Sequence, residues 1–486
     1  MTRTLRAASL VLVLLVLGRF VLAAVLPLTD TTEARYGEIA RKMVETKDWI
    51  TPQHDYGVPF WGKPPLAFWA SAGGIEALGP SQLAPRLPIL LLSLGFLGLV
   101  FAWLKPQVGR TAAALSTVIL ASSLVFYVSM AAVMTDMVLT ICVGAGLIAF
   151  WERYRGGSRR WEIVLYAALG LGLLAKGPLA TVLTLAPIVL WSLALGRVRT
   201  VWRRFAWLKG MLLVAAIALP WYIAAEIKTP GFLKYFIVGE YLSRFLIPDW
   251  QGDLYGNAHQ EPFGTIWAFF VVGLLPWSVL LLPLPLTRRK TVRGNFRQHR
   301  DLIVLCLAWA LVPLLLFTAA ANIISPYVLP AMPGFVAAFV ALYARPGEDR
   351  TLGTLAWVGT ACLLLPLAGL ALKAEQPGFV TRFTQRDVVA DIRKTHPQGC
   401  EIRYWQDRYF SAEYYTQGRA RWVKDPGKLT KVLDQGKPLC LVVGDDRLGS
   451  LPKSLAARLH TTERLGHFSV LEPLAVRETK QAQAGP

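Results

Sequence analysis

Residues 152–210 read ERYRGGSRRWEIVLYAALGLGLLAKGPLATVLTLAPIVLWSLALGRVRTVWRRFAWLKG. Two apolar runs, 162–176 and 178–196, are separated by a single glycine, with Lys176 at the end of the first, and Arg-rich segments flank the pair. A membrane-spanning helix takes about 20 mostly apolar residues to cross roughly 30 Å of hydrocarbon. The stretch therefore reads as a helical hairpin that enters and leaves a bilayer, with its basic flanks on one side and its turn on the other.

Eleven stretches of this kind occur along the chain, at approximately 7–27, 85–104, 111–129, 136–151, 162–176, 178–196, 210–226, 265–286, 302–320, 326–344 and 352–373. With the N-terminus inside, the inner segments hold 21 Lys and Arg, whereas the outer loops before residue 374 hold 9. Positive residues accumulate on the cytoplasmic side, so the N-terminus is expected inside and, with an odd number of spans, the C-terminal region outside. The basic start MTRTLR before the first run imitates a signal peptide, but Arg19 interrupts the run and no small-residue cleavage pattern follows it.

Composition agrees with this reading. Of 486 residues, 54% are hydrophobic and 17% charged, with a mean hydropathy of +0.43, against about 25% charged in soluble chains. The net charge of +20 raises the question of a polyanion, but nucleic-acid proteins gather their cations on one face or helix. Here they recur in every second loop, which argues against nucleic acid.

Two outer loops are long, 28–82 and 227–264. The first carries EARYGEIARKMVE at 33–45, with Ile39 and Met43 on one helical face, and PLAFWASAGGIEAL at 65–78. Both pieces read as helices lying on the outer membrane surface, with Trp49, Trp61 and Trp69 in the interfacial aromatic belt. From about residue 374 the apolar runs shorten and charge rises. Residues 387–394 read as a helix, with strands at 439–443 and 464–471, so 374–486 is expected to be a small α/β domain following a transmembrane domain at 1–373. Cys142, Cys306 and Cys362 fall in spans and read as small hydrophobes. Cys400 and Cys440 lie outside, where an oxidising compartment permits a disulfide. No C-x-x-C or H-E-x-x-H pattern occurs and the six histidines are scattered, so no metal ligands are assigned.

Ionisable residues at a membrane are costly, and function is their default explanation. Asp30 and Glu33 follow the first span and share a face if helical; a carboxylate there suits proton removal from an acceptor, while a helix cap is the competing reading. Asp136, where the fourth span meets the outer surface, carries the same two readings. Lys63, Lys176 and Arg244 lie on the outer face against the charge bias, and together would bind an anionic lipid headgroup through charge-assisted hydrogen bonds. Snorkelling of Lys176 and an i,i+4 pair of Arg244 with Glu240 compete.

The ordered series TEARYGEIARKMVETKDWITP, WGKPPLAFW, LGPSQLAPRLP, MTDMVL, LLAKGPLA, EYLSRF, HQEPF, LLPWS and SPYVLP, from about 20 to 340, resembles the aminoarabinose-transferase branch of the protein O-mannosyltransferase-like glycosyltransferases of the GT-C class. The resemblance implies an all-α polytopic membrane protein of the GT-C fold with about 11 to 13 transmembrane helices and a small α/β periplasmic C-terminal domain. It also implies transfer of a sugar, with inversion, from a polyprenyl-phosphate donor to lipid A or another envelope acceptor at the outer face of the bacterial inner membrane. Asp30, Glu33 and Asp136 then take the acidic, catalytic positions. Lys63, Lys176 and Arg244 match positions that handle the donor phosphate, and Tyr327 matches a cavity tyrosine. No nucleotide cofactor is implied, and a divalent metal is left open. Three departures stand out: Thr32 replaces the usual Asp beside Glu33, Gly62 replaces the acid before Lys63, and the Lys expected shortly before Tyr327 is missing, with Asn322 and Ile323 there instead. A transporter or flippase is the alternative, but no half-to-half repeat is present and Arg19 alone sits well inside a span. On this reading Asp30→Asn should leave a folded, inserted protein whose transfer rate in proteoliposomes falls about 10²–10⁴-fold.

Overall fold

The computed structural model describes residues 3–256, 259–345, 350–374, 376 and 378–474. Residues 257–258 of the second outer loop and 475–486 of the expected C-terminal domain lie outside the described residues. Among the described residues, seven helices are long and apolar enough to cross a membrane: Arg3–Val25, Leu87–Val108, Thr135–Tyr154, Trp207–Lys228, Arg289–Thr318, Ser325–Tyr343 and Gly353–Ala374. The other four expected spans are present in shorter, charged or broken form. Arg159–Lys176 carries Arg159, Arg160, Glu162 and Lys176, and Pro178–Ala194 has 17 residues. Helix Arg110–Ala121 gives way at Ser122 and Ser123 to Leu124–Ser129. The stretch 265–286 forms Thr265–Gly273, Trp277–Leu280 and Leu284–Thr287, the last two starting directly after Pro276 and Pro283, because proline lacks the N–H that a continuing helix needs.

Arg19, the cation inside the first span, donates from Nε to the Tyr127 carbonyl at 2.8 Å and from Nη2 to that of Val128 at 2.7 Å. These carbonyls lie in Leu124–Ser129 and compensate the buried charge, as intramembrane ions require. Cys142 and Cys306 are buried, whereas Cys362 is exposed on Arg350–Ala374.

Helix Thr32–Thr46 differs from a surface helix. Residues 36–43 are all buried, because Leu66–Leu78 packs on one side and Phe410–Tyr415 of the C-terminal unit on the other. An apolar cluster joins Leu28, Tyr36, Ile39 and Met43 to Phe410 and Tyr414.

The C-terminal unit has a five-stranded sheet in the order Arg421–Val423, Glu401–Trp405, Leu439–Gly444, Phe468–Pro473, Leu459–Leu465. The first three strands are parallel and the last two antiparallel. Apolar residues repeat through Leu439–Val443, all buried, as a central strand covered on both faces demands. The single strand expected at 464–471 is instead the turn of a hairpin: Gly466, at φ +59°, links Leu459–Leu465 to Phe468–Pro473. Cys400 and Cys440 form a disulfide with Cα atoms 5.8 Å apart, tying adjacent strands.

Charged contacts fasten this unit to segment 28–82. The Lys42 ammonium, fully buried, lies 3.2 Å from Glu413 and 3.6 Å from Glu38 and donates to the His54 carbonyl at 3.1 Å. Arg408 meets Glu413 at 2.6 Å. Asp30 accepts from the Ser411 N–H at 3.0 Å and from the Ser411 hydroxyl. Burial at this junction raises the Asp30 carboxyl to about 6, against the Ser411 hydrogen bonds that favour its charge. Burial also lowers the His54 imidazole to about 4, helped by Arg408 and Arg35.

Two outcomes are expected. The paired Cys400→Ser, Cys440→Ser variant should lose about 2–4 kcal/mol of C-terminal stability in chemical denaturation. At the junction, acidification from pH 7 to 5 protonates Asp30 more readily when docked than free, which tightens docking. It protonates His54 less readily when docked, which loosens docking, so the two oppose. Asp30→Asn should therefore make the junction loosen on acidification, and His54→Asn should make it tighten, as read by hydrogen exchange of residues 410–415.

Candidate functional site

Five elements converge at one end of the bundle. The start of helix Thr32–Thr46 brings Thr32, Arg35 and Tyr36; the segment before Leu66–Leu78 brings Phe60 and Lys63. Asp136 opens helix Thr135–Tyr154, Lys176 closes Arg159–Lys176, and the π-helical segment Tyr235–Ser243 carries Glu240 directly before Arg244. These residues, with Asp253, Tyr255, His259, Tyr327 and Phe410, line a cavity of about 290 Å³. A smaller cavity of about 70 Å³ shares Lys63, Lys176, Glu240, Arg244 and Tyr327 with it and continues among Leu179, Phe245, Phe317 and Ala320. The polar chamber thus opens through a cationic neck into an apolar cleft.

In the neck each cation faces a carboxylate. Lys176 Nζ is 2.5 Å from Asp136 Oδ1, with both side chains 6% exposed, and lies 4.2 Å above the Tyr327 ring. Lys63 Nζ is 2.6 Å from Glu240 Oε2, and Arg244 reaches Asp253 at 3.1 Å and Glu240 at 3.4 Å. Burial alone would raise the Glu240 carboxyl, but Lys63 and Arg244 hold it below the usual range. Asn322 donates to the Arg244 carbonyl at 2.7 Å and to that of Ile247 at 2.9 Å, and Tyr241 donates to the Lys176 carbonyl. The three cations and three acids of the neck cancel. Arg35 adds charge to the chamber: it donates to the Tyr255 carbonyl, its Nε is buried without a hydrogen-bond partner, and among the described residues it has no ion pair. Its guanidinium lies 5.4 Å from the Tyr36 ring centre.

The structure brings together Asp136, Lys63, Lys176, Arg244 and Tyr327. It does not bring Asp30 and Glu33 into the cavity lining. Asp30 turns to Ser411, and Glu33 is held by Arg86 at 2.6 Å, with a 3.3 Å hydrogen bond from the Val133 N–H. Burial favours neutral Glu33, yet Arg86 keeps its carboxyl below the ordinary range. Their spacing in sequence could not reveal partners 381 and 53 residues away. Thr31 and Thr32 take the cavity-facing positions of that segment. Neither Asp30 nor Asp136 caps a helix through its side chain, and Lys176 is paired inside the protein instead of reaching for the interface. The Arg244–Glu240 pair exists, but Glu240 is closer to Lys63.

Arg35, Asp253, Tyr255 and Phe410 were not singled out from the sequence. Arg35 did carry a signal, as a further outer cation against the charge bias, while nothing local marks Phe410. The carboxylates of the neck are all engaged by cations. Among the described residues, His396, Cys400 and Cys440 form a cluster of metal-ligand type, and there the two sulfurs are joined to each other.

The chain resembles known proteins in sequence and in fold. The family model for dolichyl-phosphate-mannose-protein mannosyltransferase matches residues 7–236. An undecaprenyl phosphate-alpha-4-amino-4-deoxy-L-arabinose arabinosyl transferase of Edwardsiella ictaluri is 30% identical over 72% of this chain and 63% of its own length. One from an Enterobacter species is 30% identical over 75% and 66%. The chain therefore spans slightly less than two thirds of the length of these relatives. The crystal structure of ArnT from Cupriavidus metallidurans bound to undecaprenyl phosphate superposes with a TM-score of 0.77 at 17% identity, over 96% of this chain and 97% of that one. These matches and the spanning helices make this a multi-pass protein of the bacterial inner membrane. By sequence and by fold, the chain is an aminoarabinose-transferase-like protein of the GT-C class.

Proposed function

We propose that the protein is a glycosyltransferase that takes a sugar from a polyprenyl-phosphate donor and passes it, with inversion, to lipid A or another envelope acceptor. The observation that carries this is the neck, where Lys63, Lys176, Arg244 and Tyr327 stand between a polar chamber and an apolar cleft. An isoprenoid tail suits the cleft, its phosphate the cations, and its sugar the chamber. Undecaprenyl phosphate is the lipid bound in the Cupriavidus structure of the same fold.

In this mechanism the acceptor oxygen forms a bond to the anomeric carbon while the bond from that carbon to the phosphate oxygen breaks. The departing polyprenyl phosphate keeps the electron pair, and the negative charge that grows on it is met by Lys63, Lys176 and Arg244. Fixed cations in a partly dry site favour that charge without reorganising during the reaction. Asp136, bonded to Lys176 at the leaving-group end, orients that lysine; the attacking oxygen belongs to an acceptor group that is already ionised, such as a phosphate, so no proton has to be removed. The phosphate displaces Glu240 and Asp253 from part of their contacts, so these carboxylates keep the neck neutral until the donor arrives. Arg35, which has no carboxylate partner among the described residues, favours an acceptor bearing negative charge. On this reading the N-terminus is cytoplasmic and the C-terminal unit periplasmic, in line with the distribution of Lys and Arg.

Mass spectrometry of lipid A and other envelope glycans with and without the gene is expected to show loss of one sugar modification; an unchanged set contradicts the proposal. With purified protein, Lys63→Ala and Arg244→Ala should each weaken binding of undecaprenyl phosphate about 10-fold or more, as loss of a charge-assisted hydrogen bond implies.

A further inference from the structure

Two ends of the chamber differ in origin. The neck end is built by residues between 63 and 327, and the apolar cleft beyond it fixes where a lipid tail leaves. Displacement in line requires the nucleophile opposite the leaving group, so the acceptor occupies the other end. That end is lined by Thr32, Arg35, Phe60, Tyr255 and Phe410, and Phe410 is the one lining residue from the C-terminal unit among those described.

The Phe410 ring is held from several sides. The Arg408 guanidinium lies 4.5 Å from its centre and the His54 ring 5.3 Å away, edge to face. Arg408 is itself fixed by Glu413, which Lys42 of the first outer loop also contacts. The next residue, Ser411, gives both its N–H and its hydroxyl to Asp30, and Asp30 directly precedes the cavity residues Thr31 and Thr32. One carboxylate therefore sets the spacing between the wall made by Phe410 and the floor made by the two threonines.

Resting on the glycosyltransferase reading above, we infer that the C-terminal unit supplies the acceptor-side wall of the cavity: Phe410 touches the acceptor, and Asp30 is a positioning residue that holds it there through Ser411. Asp30 then acts on acceptor use and not on proton removal. The domain after the last span is part of the site and selects what the sugar is passed to.

The test uses full-length protein in detergent and in cells. Undecaprenyl phosphate serves as the binding probe, and the sugar modification lost with the gene serves as the product, quantified by mass spectrometry. Phe410→Ala should leave undecaprenyl phosphate affinity within about twofold and lower product about 10- to 100-fold, the scale of a misplaced reacting group. Phe410→Tyr should restore most of the product, which loss of folding would not allow. Ser411→Ala should lower product as much as Asp30→Asn does, and the double variant no further. In membranes, each single variant should raise the acceptor concentration needed for half-maximal transfer. Unchanged product in Phe410→Ala overturns the inference, as does a loss of undecaprenyl phosphate affinity equal to that of Arg244→Ala. An Asp30→Asn loss far larger than that of Ser411→Ala returns Asp30 to the role of base and also overturns it. Wild-type protein that neither binds undecaprenyl phosphate nor alters any glycan removes the glycosyltransferase reading itself, a result distinct from silence in the variants.

Discussion

Lys42 is an ammonium with no exposed side-chain surface, set between Glu38 of its own helix and Glu413 of the C-terminal unit. A buried charge without partners costs several kcal/mol, and removing one partner of a buried pair is strongly destabilising. The arrangement therefore holds only while the C-terminal unit is docked on segment 28–82. Docking encloses Thr32–Thr46 on both sides, sets Ser411 against Asp30, and brings Phe410 to the cavity whose other walls belong to the membrane bundle.

The same principle of compensated charge operates in the neck. Three cations face three acids there, in a region bounded by apolar helices. A site made only of cations would repel itself in the empty state, and one made only of acids would exclude a phosphate. On the proposed function, pairing keeps the cations oriented for a phosphate that replaces the carboxylates as their acceptor. Arg35 lies outside this balance, which is why the chamber as a whole favours anions.

Much of this was legible in the sequence, for a physical reason. Membrane spans announce themselves through continuous apolar composition; each of the eleven stretches is helical, although those at 111–129 and 265–286 break where Ser122, Pro276 and Pro283 interrupt them. Lys63, Lys176 and Arg244, which line the cavity, could be singled out because they run against the charge bias expected for the outer side. Asp30 and Glu33 could not be placed, since what decides their roles is Ser411 and Arg86, far away in sequence. Likewise, the hairpin turn at Gly466 hides inside an alternating pattern that a single strand would also give.

The central claim is that the neck is the seat of a lipid phosphate. An experimental structure of the protein with undecaprenyl phosphate tests it most directly. The phosphate is expected within hydrogen-bond distance of Lys63 and Arg244, with the isoprenoid chain running past Leu179 and Phe317. A phosphate held elsewhere, with Lys63 still bonded to Glu240 and Arg244 to Asp253, would contradict the account.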